Sequence, residues 1–243
     1  MAKTKKNDNI NKDIISINEE VKKVKIVYQK KEREIVLTCR FDITGFDKET
    51  IIEWYKQIHL GRRLDEKAAL YLKMAKGWSY HAPFGGHDGI QLAIGKIFRT
   101  GKDFLFPYFR DMLTCLTSGL TVEEIILNGL SKETDVAGGG RHMSNHFAKP
   151  SIGIQNVSSC TGNHSQHAAG TARAIKKYKG DEIVIYSGGE SACSEGYFWE
   201  ALNCATLEKL PVIFVIQNNK YGISVPVTEQ TAKIGRASCR ERV

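Results

Sequence analysis

Apolar residues change their spacing twice along this chain, and the changes mark where its elements should lie. Through the first 45 residues they are sparse among Lys, Asn and Glu, and only Ile35-Val36-Leu37-Thr38 suggests a short strand. From about Asp47 to Lys76 they recur at helical spacing, through Ile51, Trp54, Tyr55, Ile58, Leu64, Ala68 and Leu72. Asp47 or Thr50 is placed to cap that helix, and Gly77 with Pro83-Phe84-Gly85-Gly86 ends it in a loop. Further helices are expected from Asp88 to Ile97, from Asp111 to Gly119, and after Thr121, where Glu124 completes a capping-box spacing. The Gly138-Gly139-Gly140-Arg141-His142-Met143-Ser144-Asn145-His146 segment reads as a flexible polar loop.

Beyond residue 160 strands and helices alternate. Residues 162–179 suit a helix whose Ala168, Ala169, Gly170 and Ala172 allow close packing. A short apolar strand over 182–187 is followed by a helix over 194–209, with Ser194 as its cap. The nearly all-apolar run 212–217 fits a strand covered on both faces. Strand–helix–strand implies a right-handed parallel crossover, hence an α/β fold with a parallel sheet flanked by helices. Ligands bind such sheets at the carboxyl ends of their strands. There stand Gly188-Gly189-Glu190-Ser191 and Gln217-Asn218-Asn219-Lys220-Tyr221-Gly222-Ile223. The glycines permit a tight turn and a close phosphate, and a helix N-terminus at Ser194 would aim free N–H groups at it. Magnesium takes about six oxygens, one or two commonly from protein and others from phosphates. Glu190, the Asn219 carboxamide and the Tyr221 carbonyl could supply three. Spacing alone leaves open an ordinary pair of turns.

Composition and charge narrow the classes. The 243 residues, 42% of them hydrophobic, can bury one large core or two small ones. Of the net charge of +8, half falls in residues 1–48, and this leader reads as a solvated arm. No basic stripe interleaved with aromatics supports nucleic-acid binding. The six cysteines (39, 115, 160, 193, 204, 239) include no CxxC pair and read as reduced thiols. No signal peptide, membrane span or lipidation motif is visible, so a cytoplasmic location without membrane attachment is expected. Residues 234–243 break the hydrophobic pattern, and their back-translation resembles a common sequencing adapter read in frame. The expected organisation is a charged leader over 1–45, a binding domain over 46–233, and a non-native end over 234–243. On that reading the chain is an N-terminal fragment.

The run Gly189-Glu190-Ser191-Ala192-Cys193-Ser194-Glu195-Gly196 through Gln217-Asn218-Asn219-Lys220-Tyr221-Gly222-Ile223-Ser224 resembles the thiamin diphosphate motif of 2-oxo acid dehydrogenase E1 α-subunits. That motif is usually written Gly-Asp-Gly followed by Asn-Asn. Arg62-Arg63-Leu64-Asp65-Glu66-Lys67 and Phe106-Pro107-Tyr108-Phe109-Arg110-Asp111 are further matches, and the likeness extends from about Trp54 to Gln230. It is strongest to bacterial forms in which α- and β-type halves are fused.

The resemblance implies a thiamin diphosphate-binding fold, with Glu190, Asn219 and the Tyr221 carbonyl holding Mg2+. It implies diphosphate contacts from Gly189, Arg110 and the backbone of Ser191 and Ala192. Ser159, Thr161 and Gly162 would border the aminopyrimidine, with Phe109 and Ile223 also against the cofactor. Three positions depart from the pattern: Glu190 stands for Asp, Ser191 for the second glycine, and Phe109 for a common tyrosine whose hydroxyl contact is lost. His81, His87, His142 and His146 fall in segments bordering the substrate funnel, and His81 and His146 are the candidate catalytic groups. The activity implied is oxidative decarboxylation of a branched-chain 2-oxo acid or pyruvate, with acyl transfer to the lipoyl domain of an E2 partner. A β-type half, fused or separate, would supply the glutamate that activates the cofactor, so residues 1–243 alone are expected to be inactive. Assembly as α2β2, or as dimers of fused chains, is implied. An acetoin-dehydrogenase-type or transketolase-like thiamin enzyme, and a non-enzymatic phosphate-binding α/β module, remain alternatives.

Overall fold

The computed structural model describes Ser16–Asn18, Lys23–Tyr28, Lys31–Val36 and residues 45–231. The rest of the charged leader, and the terminal segment 234–243, lie outside the described residues. The chain divides into two units, Met1–Ile51 and Ile52–Val243. In the first, β1 (Ser16–Asn18), β2 (Lys23–Tyr28) and β3 (Lys31–Val36) form an antiparallel sheet in that order. Only the last of these strands, at Ile35-Val36, was expected. The basic run 22–33 supplies two paired strands where the sequence suggested an arm. Helix α1 (Lys48–Lys73) begins in this unit, and Asp47 Oδ1 accepts the Thr50 N–H at 2.6 Å, so Asp47 is its cap.

The second unit is built on a three-stranded parallel sheet, β4 (Phe104–Phe106), β5 (Val184–Gly189) and β6 (Val212–Gln217), in that order. Helices α2 (Asp88–Ile97), α3 (Met112–Thr117) and α4 (Val122–Gly129) precede β5, and α4 carries the expected Thr121/Glu124 capping box. Helix α5 (His164–Tyr178) leads into β5, and α6 (Gly196–Leu207) connects β5 to β6. Strand alternation sends Leu105, Ile185 and Val215 into one core with Leu64, Trp78, Phe84, Leu113 and Phe147. It sends Phe106, Val184, Tyr186 and Phe214 into the other, with Ala168, Ala172, Phe198, Ala201 and Ala205. Helices therefore cover both faces, which is why β5 is apolar throughout its first half. Coverage thins at β6, where Ile213 remains 44% exposed.

Several expected boundaries move, two of them beside the glycine turn. The strand before the glycine turn runs to Gly189, because Gly188 and Gly189 pair with Ile216 and Gln217. The following helix starts at Gly196, not Ser194, after a 3-10 turn over Ser191–Ser194. Gly170, expected at a helix contact, is open to solvent. The chain closes its described part with a short hairpin, β7 (Tyr221–Gly222) and β8 (Val225–Pro226), and the helical turn α7 (Val227–Gln230). Among the described residues no helix is long and apolar enough to cross a membrane.

Candidate active site

Parallel register places Gly189 beside Gln217, so Glu190 and Asn218-Asn219 leave the sheet at the same ends of neighbouring strands. Strand spacing there is roughly 5 Å. Glu190 is 8% exposed, and its Oε1 is enclosed without a hydrogen-bond partner. A buried carboxylate oxygen with nothing to accept is costly, and such an atom fits a cation or donor brought from outside. Ser191 and Ala192 open the 3-10 turn, where the first N–H groups have no partner within the turn. Gly189, the last residue of β5, is needed for space. A Cβ there would stand 2.8 Å from the Tyr108 hydroxyl.

Asn219, beyond the end of β6, is exposed. Its Oδ1 accepts the Tyr221 N–H at 2.8 Å, and a carbonyl oxygen retains a second lone pair for another partner. Tyr221 is 56% exposed, and Ile223 stands fully exposed at the hairpin tip with a φ of 56°. A β-branched residue in the left-handed region is strained, and such strain concentrates at binding sites. Among the described residues no group of three or more His, Cys, Asp and Glu could hold a metal.

The Tyr108-Phe109-Arg110 segment follows β4 at the same end of the sheet, with Tyr108 beside Gly189. Arg110 sits 5.7 Å from the Tyr108 ring centroid and donates from Nη1 to the Pro83 carbonyl at 2.6 Å. Burial pushes the Tyr108 phenol above its ordinary range, with the Arg110 charge opposing, and Glu190 is close enough to add to the rise. Burial, then the Arg110 charge, hold the His87 imidazole below its usual range, so it favours its neutral form. Tyr108 was not singled out from the sequence, although it adjoins two residues that were. Its hydroxyl faces the glycine turn, and its ring packs against that of Phe109 with centroids 4.0 Å apart.

Phe109 packs against Tyr80 edge-on at 5.4 Å and stacks on His146 at 5.9 Å. His146 Nδ1 lies 3.3 Å from the Ser144 carbonyl and must donate there, leaving Nε2 to accept the Ser159 hydroxyl at 2.9 Å. Burial lowers the His146 pKa, which suits that neutral tautomer. Gly162, with a φ of 80°, brings the 159–162 loop against the glutamate turn, where a Cβ would meet the Ala192 carbonyl at 3.2 Å. Thr161 is exposed at the rim. His81 turns inward: Nε2 lies 3.1 Å from Asp65 Oδ1, and Nδ1 faces Asn145 Nδ2 at 3.4 Å. The 138–146 segment is a loop, as expected, but its last three residues do not face solvent. Ser144, Asn145 and His146 are buried, and Asn145 Oδ1 accepts the Trp78 indole N–H at 2.9 Å.

His164 is a further group the sequence did not reveal. It lies at the start of α5 beneath the glycine turn, and its Nε2–H donates to the Ser187 carbonyl at 2.8 Å. Burial pushes its pKa from 6.5 down to about 4. A depressed histidine pKa means stability that is fully present above the ordinary value and lost as pH falls toward the folded one. Urea unfolding at pH 4.5 against pH 7 should show a loss of roughly 2–3 kcal/mol from this group. His164→Asn should flatten that dependence by a similar amount. An unchanged pH slope in the variant would contradict the assignment.

Fold and site together define an α/β protein with polar residues gathered at the carboxyl ends of a parallel sheet. The profile of the dehydrogenase E1 component family matches residues 55–238, and the chain belongs to that family. The 2-oxoisovalerate dehydrogenase subunit alpha of Bacillus subtilis (strain 168) is 33% identical over 199 residues, covering 80% of this chain and 59% of that protein. The pyruvate dehydrogenase E1 component subunit alpha of Acholeplasma laidlawii is 32% identical over 181 residues, covering 74% of this chain and 49% of that protein. The mitochondrial 2-oxoisovalerate dehydrogenase subunit alpha 2 of Arabidopsis thaliana is 30% identical over 152 residues, covering 63% of this chain and 32% of that protein. The chain thus spans a third to three fifths of the lengths of these relatives.

Proposed function

We propose that this chain is the α-type portion of a 2-oxo acid dehydrogenase E1 component and holds the diphosphate end of thiamin diphosphate through Mg2+. The unpartnered Glu190 Oε1 at the carboxyl end of β5 carries this reading. Glu190, the Asn219 carboxamide and the Tyr221 carbonyl are the metal-binding oxygens. The Ser191 and Ala192 N–H groups and the Arg110 guanidinium receive the diphosphate, and Tyr108 adds a hydroxyl beside Arg110. Ser159 and Gly162 line the side toward the aminopyrimidine, with Thr161 and Ile223 at the rim. His146 fixes Ser159, and His81 fixes the neighbouring loop through Asn145. When bound, the cofactor supplies the electron sink for decarboxylating a 2-oxo acid, of branched-chain or pyruvate type. The acyl group then passes to a lipoyl group of an E2 partner. A β-type half completes the site, in a cytoplasmic oligomer.

The test is Mg2+-dependent binding of thiamin diphosphate by the protein assembled with its β-type half, alongside decarboxylation by residues 1–243 alone. Binding should require Mg2+, and the lone chain should not turn over substrate. Metal-independent binding that survives Glu190→Ala would favour a simple phosphate-binding module. Turnover by the lone chain would overturn the two-part site.

A further inference from the structure

The two turns that carry the metal-binding oxygens follow different strands, and one side chain ties them together. Gln230, at the end of α7, accepts from Ser191 Oγ at 3.0 Å through its Oε1. Its Nε2 donates to the Ser191 carbonyl at 3.3 Å and to Ser194 Oγ at 2.9 Å. All three bonds land on the 3-10 turn that begins next to Glu190. At its other end α7 is joined to the Asn219–Tyr221 turn. Val227 N–H donates to the Lys220 carbonyl at 2.9 Å, and β7 pairs with β8 just before it. Gly222 approaches so closely that a Cβ there would stand 2.4 Å from Ser191 Oγ and 3.0 Å from Gln230 Oε1. Asn218, Asn219 and Lys220 are otherwise exposed. Ser191 occupies the place of a motif glycine, and its hydroxyl makes one of the three bonds.

We infer that Gln230 is a positioning residue. Acting through Ser191 and Ser194, it latches the Asn219–Tyr221 turn against the Glu190 turn and presets the oxygens that receive the cation. Ordering these turns in advance removes a conformational cost from binding. The inference rests on the proposed reading of Glu190 and Asn219 as metal-binding residues.

The test compares Gln230→Ala, Ser191→Gly and the double variant, each assembled with the β-type half. Two quantities are read: amide hydrogen exchange over residues 218–224 without ligand, and the Mg2+ concentration that half-saturates thiamin diphosphate binding. Gln230→Ala should speed exchange and raise the Mg2+ requirement roughly tenfold, as three modest hydrogen bonds would. Affinity at saturating Mg2+ should fall less. Ser191→Gly should have a smaller effect, and the double variant should fall short of the sum. Gln230→Glu, which keeps an acceptor for Ser191, should recover part of the loss. Circular dichroism of all variants should match the parent. Faster exchange with an unchanged Mg2+ requirement would reduce Gln230 to a structural tie and overturn the inference. If the parent itself binds without Mg2+, the metal reading of Glu190 fails first and this inference with it.

Discussion

Glu190→Gln is expected to weaken Mg2+-dependent cofactor binding by more than 100-fold while leaving the fold intact or slightly firmer. The substitution preserves shape and removes one charge. In the parent that charge sits at a buried position, with Oε1 enclosed and unpaired. A buried unpaired carboxylate is costly, and a neutral carboxamide there costs less. The variant should therefore unfold at equal or higher urea in the absence of metal, by up to about 1 kcal/mol. Binding moves the opposite way, because a hard divalent cation strongly prefers a carboxylate to a neutral oxygen. Groups that only orient a metal ligand typically cost 10–100-fold when lost, so a direct ligand should cost more. Calorimetric titration with thiamin diphosphate at fixed Mg2+, paired with urea unfolding, checks both halves. Parent-like binding by the glutamine variant would remove Glu190 from the metal-binding set.

Local signals carried much of the fold. The α2 and β6 boundaries fall where periodicity placed them, with turn residues beside each, Gly85-Gly86 before α2 and Asn218-Asn219 after β6. The Thr121/Glu124 capping box is legible for the same reason, since its partners are three residues apart. What escaped depends on distant partners. The 138–146 segment reads as a solvated loop because nothing local reveals that Asn145 bonds Trp78, 67 residues away. Gln230 reaches back 36 to 39 residues to Ser194 and Ser191, so its role is invisible from composition. The start of α6 moved because the glutamate turn spends four residues in a 3-10 conformation, which shares its N-terminal preferences with an α-helix. The placement of Glu190 and Asn219 at neighbouring strand ends was legible because a parallel crossover brings consecutive strand ends together whatever the helix between them contains.

Asp111→Ala is expected to be among the most destabilising substitutions in the chain, by about 3–5 kcal/mol. Asp111 is 1% exposed, and its Oδ2 accepts the Tyr108 N–H at 2.8 Å. Its Oδ1 accepts from Gln217 Nε2, which also donates to Ser187 Oγ at 2.9 Å. Gln217 Oε1 in turn accepts from Gln91 at 3.3 Å, and the same Gln91 amide reaches the Arg110 carbonyl at 3.0 Å. Removing the carboxyl would strand buried donors on the Tyr108 turn and on Gln217 at once. Buried donors left unpaired cost more than the bonds themselves contributed. Burial raises the Asp111 pKa despite these bonds. For a carboxyl raised in the folded state, the stability it contributes is complete in acid and declines as pH rises through the folded pKa. Asp111→Asn, neutral at every pH, should lose that decline and recover part of the alanine deficit, since its oxygen can still accept from one side. Urea unfolding of both variants across acidic to neutral pH tests this, and an alanine loss below about 1 kcal/mol would refute it. The consequence reaches the candidate site, because this network pins the Tyr108-Phe109-Arg110 turn to Ser187 of β5 and Gln217 at the end of β6. Cofactor affinity should therefore fall in Asp111→Ala even where the variant remains folded, through groups that never touch the ligand.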